Sequence, residues 1–135
     1  MATTKKRILV VDDEASFTRL LKLNLEQTGE YDVHVEITST EAPAAARRFK
    51  PDLILLDVMM PEMDGGTLAA RLRENPALAG VPIIFLTAAV KKEEVSDRGG
   101  TIGGFPFIAK PVDLDELLDY LRQWVGGEGG RSQGA

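Results

Sequence analysis

Three short apolar runs constrain this chain more than any other feature: Ile8–Val11, Leu53–Leu56 and Ile83–Leu86. Each is unbroken by a polar residue. A strand with one wet face alternates apolar and polar side chains. An unbroken run suits a strand covered on both faces, as in a parallel sheet between layers of helices. Val33–Ile37 does alternate, and fits a strand nearer an edge. Phe105–Ala109 is a further candidate, with Pro106 near its start, where a missing N–H is tolerated.

Helical patterns lie between these runs. Phe17, Leu20, Leu21 and Leu25 give one apolar stripe. Thr40 is placed to cap a helix over Glu41–Phe49, with Pro43 in its first turn. Thr67–Arg73 predicts a third helix, with Leu68 and Leu72 on one face. The last is the clearest. Asp113 and Glu116 form a capping-box-like start, and Leu114, Leu117, Leu118, Leu121, Trp124 and Val125 follow the helical period. Between the fourth and fifth strands only Lys91–Arg98 looks helical. Gly99, Gly100, Gly103 and Gly104 follow it and read as a mobile loop. Strand and helix alternate throughout, which predicts an open α/β sheet.

At 135 residues the chain has room for one domain with a real core. We expect it over residues 1–125, with a glycine-rich disordered tail at 126–135. The net charge of -5 argues against direct DNA binding, which favours a basic face. The absence of cysteine excludes disulfides and thiolate chemistry. No apolar run approaches the roughly 20 residues of a membrane span. Ile8–Val11 is too short for a signal peptide, so the expected location is cytoplasmic.

In an open α/β sheet, ligands bind outside the carboxyl ends of the strands. Here those ends carry Asp12-Asp13-Glu14, Asp57, Thr87-Ala88 and Lys110-Pro111. Charged residues at strand ends often do no more than meet water. Several carboxylates converging on one point, however, raise each other's pKa, and a hard dication relieves that repulsion. Asp12, Asp13 and Asp57, balanced by Mg²⁺ and Lys110, make a nearly neutral pocket able to receive a phosphoryl group.

Asp12-Asp13 after a first strand, Asp57 followed by Met60-Pro61 and Asp64-Gly65, then Thr87-Ala88 and Lys110-Pro111, together resemble the receiver domain of two-component response regulators. The resemblance runs from about Lys6 to Val125 and includes single-domain chemotaxis regulators. It implies a flavodoxin-like, doubly wound, five-stranded parallel sheet in the order 2-1-3-4-5. It implies that Asp57 is phosphorylated. Asp13 would ligate Mg²⁺ directly and Asp12 largely through water, with Asp57 and the Met59 backbone carbonyl completing the protein ligands. Thr87 and Lys110 would bind phosphoryl oxygens. Pro111 would be joined by a cis peptide. Phe107, three before the lysine, would be the aromatic switch residue, or else a fixed core aromatic. Phenylalanine there cannot form the hydroxyl hydrogen bond of the tyrosine that relatives often carry.

The resemblance further implies a sensor histidine kinase or histidine phosphotransfer protein as donor. It implies a downstream protein bound through the face of the fourth helix, fifth strand and fifth helix. The chain would be a monomer or weak dimer, and a signalling module, not an enzyme. Met59 and Ala89, two beyond Asp57 and Thr87, are apolar, which points to slow autodephosphorylation. The glycine-rich run beside the output face suggests a segment that orders on activation. Three other readings stay open: an interaction module that is never phosphorylated, the receiver part of a longer regulator, and an aspartyl phosphatase. The last expects an aspartate two residues beyond the nucleophile, where Met59 stands. His34, the only histidine, is read as a surface residue, and Trp124 as a helix-docking one.

Overall fold

A computed structural model describes residues 5–60, 63–87, 101–102 and 105–125. Within them the chain alternates β1 (Lys6–Val11), α1 (Ala15–Gln27), β2 (Tyr31–Glu36), α2 (Ala42–Phe49), β3 (Leu53–Asp57), α3 (Gly65–Glu74) and β4 (Ile83–Thr87). It then runs through β5 (Thr101–Ile102), β6 (Phe105–Ala109) and α4 (Leu114–Val125). The sheet order is β2-β1-β3-β4-β6-β5. β1, β2, β3, β4 and β6 are mutually parallel, so the five long strands follow the expected 2-1-3-4-5 order.

The unbroken apolar runs end up where their composition requires. Every residue of β3 and of β4 is buried. Alternate side chains feed two cores, one on each face. On one face Leu9, Val11, Ile54, Leu56, Phe85 and Phe107 pack with α2 and α3. On the other, Ile8, Val10, Leu55, Ile84, Leu86 and Ile108 pack with Leu21 and Leu25 of α1 and Leu117 and Leu121 of α4.

Several local expectations need correction. Thr40 does not cap α2. It lies inside a 3₁₀ turn, Ser39–Glu41, and α2 begins at Ala42 with no side-chain cap. The third helix starts two residues early, because Asp64 accepts a hydrogen bond from the Thr67 N–H and caps it there. Leu20 leaves the expected apolar stripe of α1 and is 58% exposed. Thr101–Ile102 is not loop but a short strand, paired antiparallel to Phe105 and Pro106. The sequence held a signal for it: a β-branched pair, then Gly103-Gly104, then a strand, the pattern of a two-residue hairpin. The expected helix at Lys91–Arg98, together with Pro61, Ala89, Gly99, Gly100 and the tail at 126–135, lies outside the described residues. Among the described residues no helix is long and apolar enough to cross a membrane.

Candidate functional site

The carboxyl ends of β1, β3, β4 and β6 meet at one edge of the sheet, and each delivers a polar residue. Asp12 follows β1 and is fully buried. Its backbone N–H continues the ladder to the Glu36 carbonyl at 3.1 Å, so its position is set by the strand. The Glu14 N–H donates to Asp12 Oδ1 at 2.9 Å and orients the carboxylate. Asp13 lies beside it, exposed.

Asp57 closes β3. The Met59 N–H donates to its Oδ1 at 3.1 Å. The loop beyond it doubles back tightly, with the Gly65 N–H donating to the Val58 carbonyl at 2.8 Å. A side chain at Gly65 has no room: its Cβ would lie 2.6 Å from the Asp57 carbonyl oxygen and 2.8 Å from the Val58 Cα. This glycine is therefore part of what shapes the pocket wall.

Thr87 ends β4 and is fully buried; its carbonyl accepts from the Lys110 N–H at 2.8 Å. The Lys110–Pro111 peptide is cis. The Lys110 ammonium lies 2.7 Å from Asp12 Oδ2, 2.9 Å from Glu14 Oε1 and 4.0 Å from Asp57 Oδ2. Phe107 is buried. It packs in the α2–α3 core opposite Phe85 of β4 and is only 9% exposed. Met59 is 64% exposed at the rim.

Asp12, Asp13 and Asp57 each offer a carboxylate oxygen, all within 4.8 Å of one another. A hard dication fits this donor set. The carboxylates converge, and Asp12 Oδ2 is buried with no aligned hydrogen bond despite its ion pair with Lys110. The electrostatics agree. Burial pushes the Asp57 carboxyl up to about 6 from an ordinary 3.8; the Met59 N–H opposes this, and the charges of Asp12 and Asp13 add to it against Lys110. Burial also pulls the Lys110 ammonium down. Its contacts with Asp12 and Glu14 and the charge of Asp57 outweigh that and hold it above the usual lysine value.

Glu14 was not singled out from the sequence. No linear signal connects it to Lys110, 96 residues away. Phe17, read as core, sits with its ring centroid 4.6 Å from the same ammonium. His34 is bound locally to Glu36 at 2.8 Å on β2, away from the pocket.

Five parallel strands in a doubly wound sheet, with three carboxylates and a lysine at their carboxyl ends, define an α/β domain whose polar residues gather at the edge where such sheets bind ligands. The chain belongs to the response regulator receiver domain family, whose model matches residues 8–122. It is 44% identical over 114 residues to the alkaline phosphatase synthesis transcriptional regulatory protein PhoP of Bacillus subtilis, covering 83% of this chain and 45% of that protein. It is 36% identical over 116 residues to the DNA-binding dual master transcriptional regulator RpaA of Synechocystis, covering 86% of this chain and 47% of that one. The chain thus spans about half the length of these relatives.

Among solved structures, the chemotaxis protein CheY4 of Vibrio cholerae matches with a TM-score of 0.76 at 28% identity, covering 90% of this chain and 99% of that one. The receiver domain of a sensor histidine kinase from Pseudomonas aeruginosa, solved with a magnesium ion coordinated in its active-site cleft, matches with a TM-score of 0.76 at 27% identity. That match covers 92% of this chain and all of the other.

Proposed function

We propose that this chain is a phosphoacceptor switch, in which Asp57 takes a phosphoryl group from a histidine kinase or phosphotransfer protein. The observation that carries this reading is the convergence of Asp12, Asp13 and Asp57 within 4.8 Å, with Lys110 beside them. One Asp57 carboxylate oxygen forms a bond to phosphorus. The bond from phosphorus to the donor's imidazole nitrogen breaks, its electron pair stays on that nitrogen, and a proton from solvent leaves the ring neutral. Asp12, Asp13, Asp57 and the Met59 carbonyl would hold Mg²⁺, which neutralises charge on the phosphoryl oxygens. Lys110 and the Thr87 hydroxyl bind the oxygens that remain. Asp57 gains charge on becoming an acyl phosphate, which draws both residues inward. Phe107 then carries the change into the α2–α3 core through packing alone. Signalling passes to a partner protein through the face that includes β6 and α4.

A second reading has a specific observation in its favour. The matched relatives are about twice as long and include DNA-binding regulators, so the chain also fits the receiver part of such a regulator. Detection of the native protein in its source cells at about twice 14.7 kDa supports that reading over a stand-alone switch.

The test of the phosphoacceptor is direct. The protein is incubated with a small acyl-phosphate donor, with and without Mg²⁺. A phosphoryl mass increment that needs Mg²⁺ and disappears in Asp57→Asn is expected. An increment that survives in Asp57→Asn assigns the acceptor elsewhere. No increment, even with a cognate kinase, favours an interaction module.

A further inference from the structure

The Lys110 ammonium is not centred in the pocket. Its two short contacts, to Asp12 at 2.7 Å and Glu14 at 2.9 Å, both come from the β1–α1 side. The Phe17 ring, in the first turn of α1, faces it from the same side at 4.6 Å. Asp57 is the distant partner, at 4.0 Å. An ammonium has three protons to donate, and Glu14 already accepts one of them in an aligned hydrogen bond.

The position of Glu14 adds a second observation. It is the N-cap residue of α1, yet its side chain makes no capping hydrogen bond. Ser, Thr, Asp and Asn are the residues that cap well. This site forgoes a cap, and the carboxylate turns to Lys110 instead.

We infer that Glu14, assisted by Phe17, is a positioning residue that holds Lys110 back from Asp57 and so slows uptake of the phosphoryl group. The inference rests on the phosphoacceptor reading and concerns the regulation of that same pocket. A phosphoryl group on Asp57 offers new oxygens to Lys110, and the lysine must release a partner to reach them. Asp12 is fully buried, so abandoning it would leave the metal alone to balance a charge that water cannot reach. The Glu14 side chain is 61% exposed, and water replaces its lysine at little cost. The exchange is therefore Glu14 for a phosphoryl oxygen. Phe17 adds a weaker hold through the face of its ring.

The test compares wild type with Glu14→Gln, Glu14→Ala and Phe17→Leu, each with Mg²⁺ and a small acyl-phosphate donor. Glu14→Gln keeps the size and removes the charge. Its maximal phosphorylation rate is expected to rise by about three-fold, the scale of one exposed ion pair. Beryllofluoride, as an unreactive phosphoryl mimic, is expected to bind more tightly by the same factor. Ionic strength supplies the readout that a merely structural role would not move. Salt screens the pair, so the wild-type rate should climb toward that of Glu14→Gln, whose own rate changes less. Glu14→Ala should match Glu14→Gln, and Phe17→Leu should show a smaller gain. Equal or slower phosphorylation of both Glu14 variants, with wild type phosphorylated, overturns the inference and leaves the phosphoacceptor reading intact. A wild-type chain that takes no phosphate overturns both.

Discussion

At Gly65 a single missing methyl group decides the shape of the pocket. A Cβ there would strike the backbone of Asp57 and Val58, which cannot swing aside as a side chain would. Gly65→Ala is expected to lose about 1–3 kcal/mol of stability and most phosphate uptake, checked by denaturant melts and phosphoryl mass. Asp57 leads to a prediction about pH. Its folded value is pushed up to about 6, above the ordinary 3.8, so the folded state binds the proton more tightly than the unfolded state. The stabilisation from protonated Asp57 is full below about pH 4 and lost as the pH rises through about 6. Without metal, Asp57→Asn should therefore gain on wild type across that window, by on the order of 2 kcal/mol at neutral pH. Thermal melts at stepped pH in a chelating buffer read the difference. A constant gap would assign the stabilisation to something other than the charge. Met59 is apolar and exposed at the rim, with no group to orient a water. The phosphorylated protein should be long-lived, and Met59→Asn should shorten that lifetime. Rapid phosphate loss that Met59→Asn leaves unchanged argues against this role.

The elements hold these residues in place through their ends and their buried faces. The α3 helix begins at Gly65 because Asp64 accepts from the Thr67 N–H at 2.8 Å. That hydrogen bond holds the Asp64 carboxyl below the usual carboxylate range. The stability that Asp64 adds is present at neutral pH and fades as the pH falls through its folded value. Asp64→Ala should thus destabilise at pH 7 and matter less in acid. The α4 helix follows the Lys110–Pro111 segment and docks on the sheet through Leu117 and Leu121, both fully buried. Leu121→Ala should cost about 2–5 kcal/mol in a denaturant melt. The α1 helix differs, since Leu20 and Leu23 stay more than half exposed, and Leu20 lines the groove that borders Lys110. Its apolar pattern therefore covers more than the core requires. Sequence periodicity alone cannot separate a buried leucine from one that faces a groove.

The described residues form two packed cores on one sheet, with a cluster of charge at its edge. A bound dication couples that cluster to the stability of the fold. At 100 times its dissociation constant, Mg²⁺ should stabilise the protein by about 2.7 kcal/mol. Chelation should reverse the gain, and Asp13→Asn should abolish much of it in a thermal melt. Among the described residues, the order of the five long strands and four α-helices was legible because buried strands and amphipathic helices impose different periods on the sequence. The residues delivered to the sheet edge were legible too, since strand ends can be read from where the apolar runs stop. What the linear chain could not carry was orientation. That Phe107 packs inward against the core and that Lys110 leans toward Glu14 and not Asp57 both depend on neighbours far away in sequence. Periodicity encodes which residues are buried and at which end of a strand a side chain emerges. Only packing and charge in three dimensions decide which partner that side chain holds.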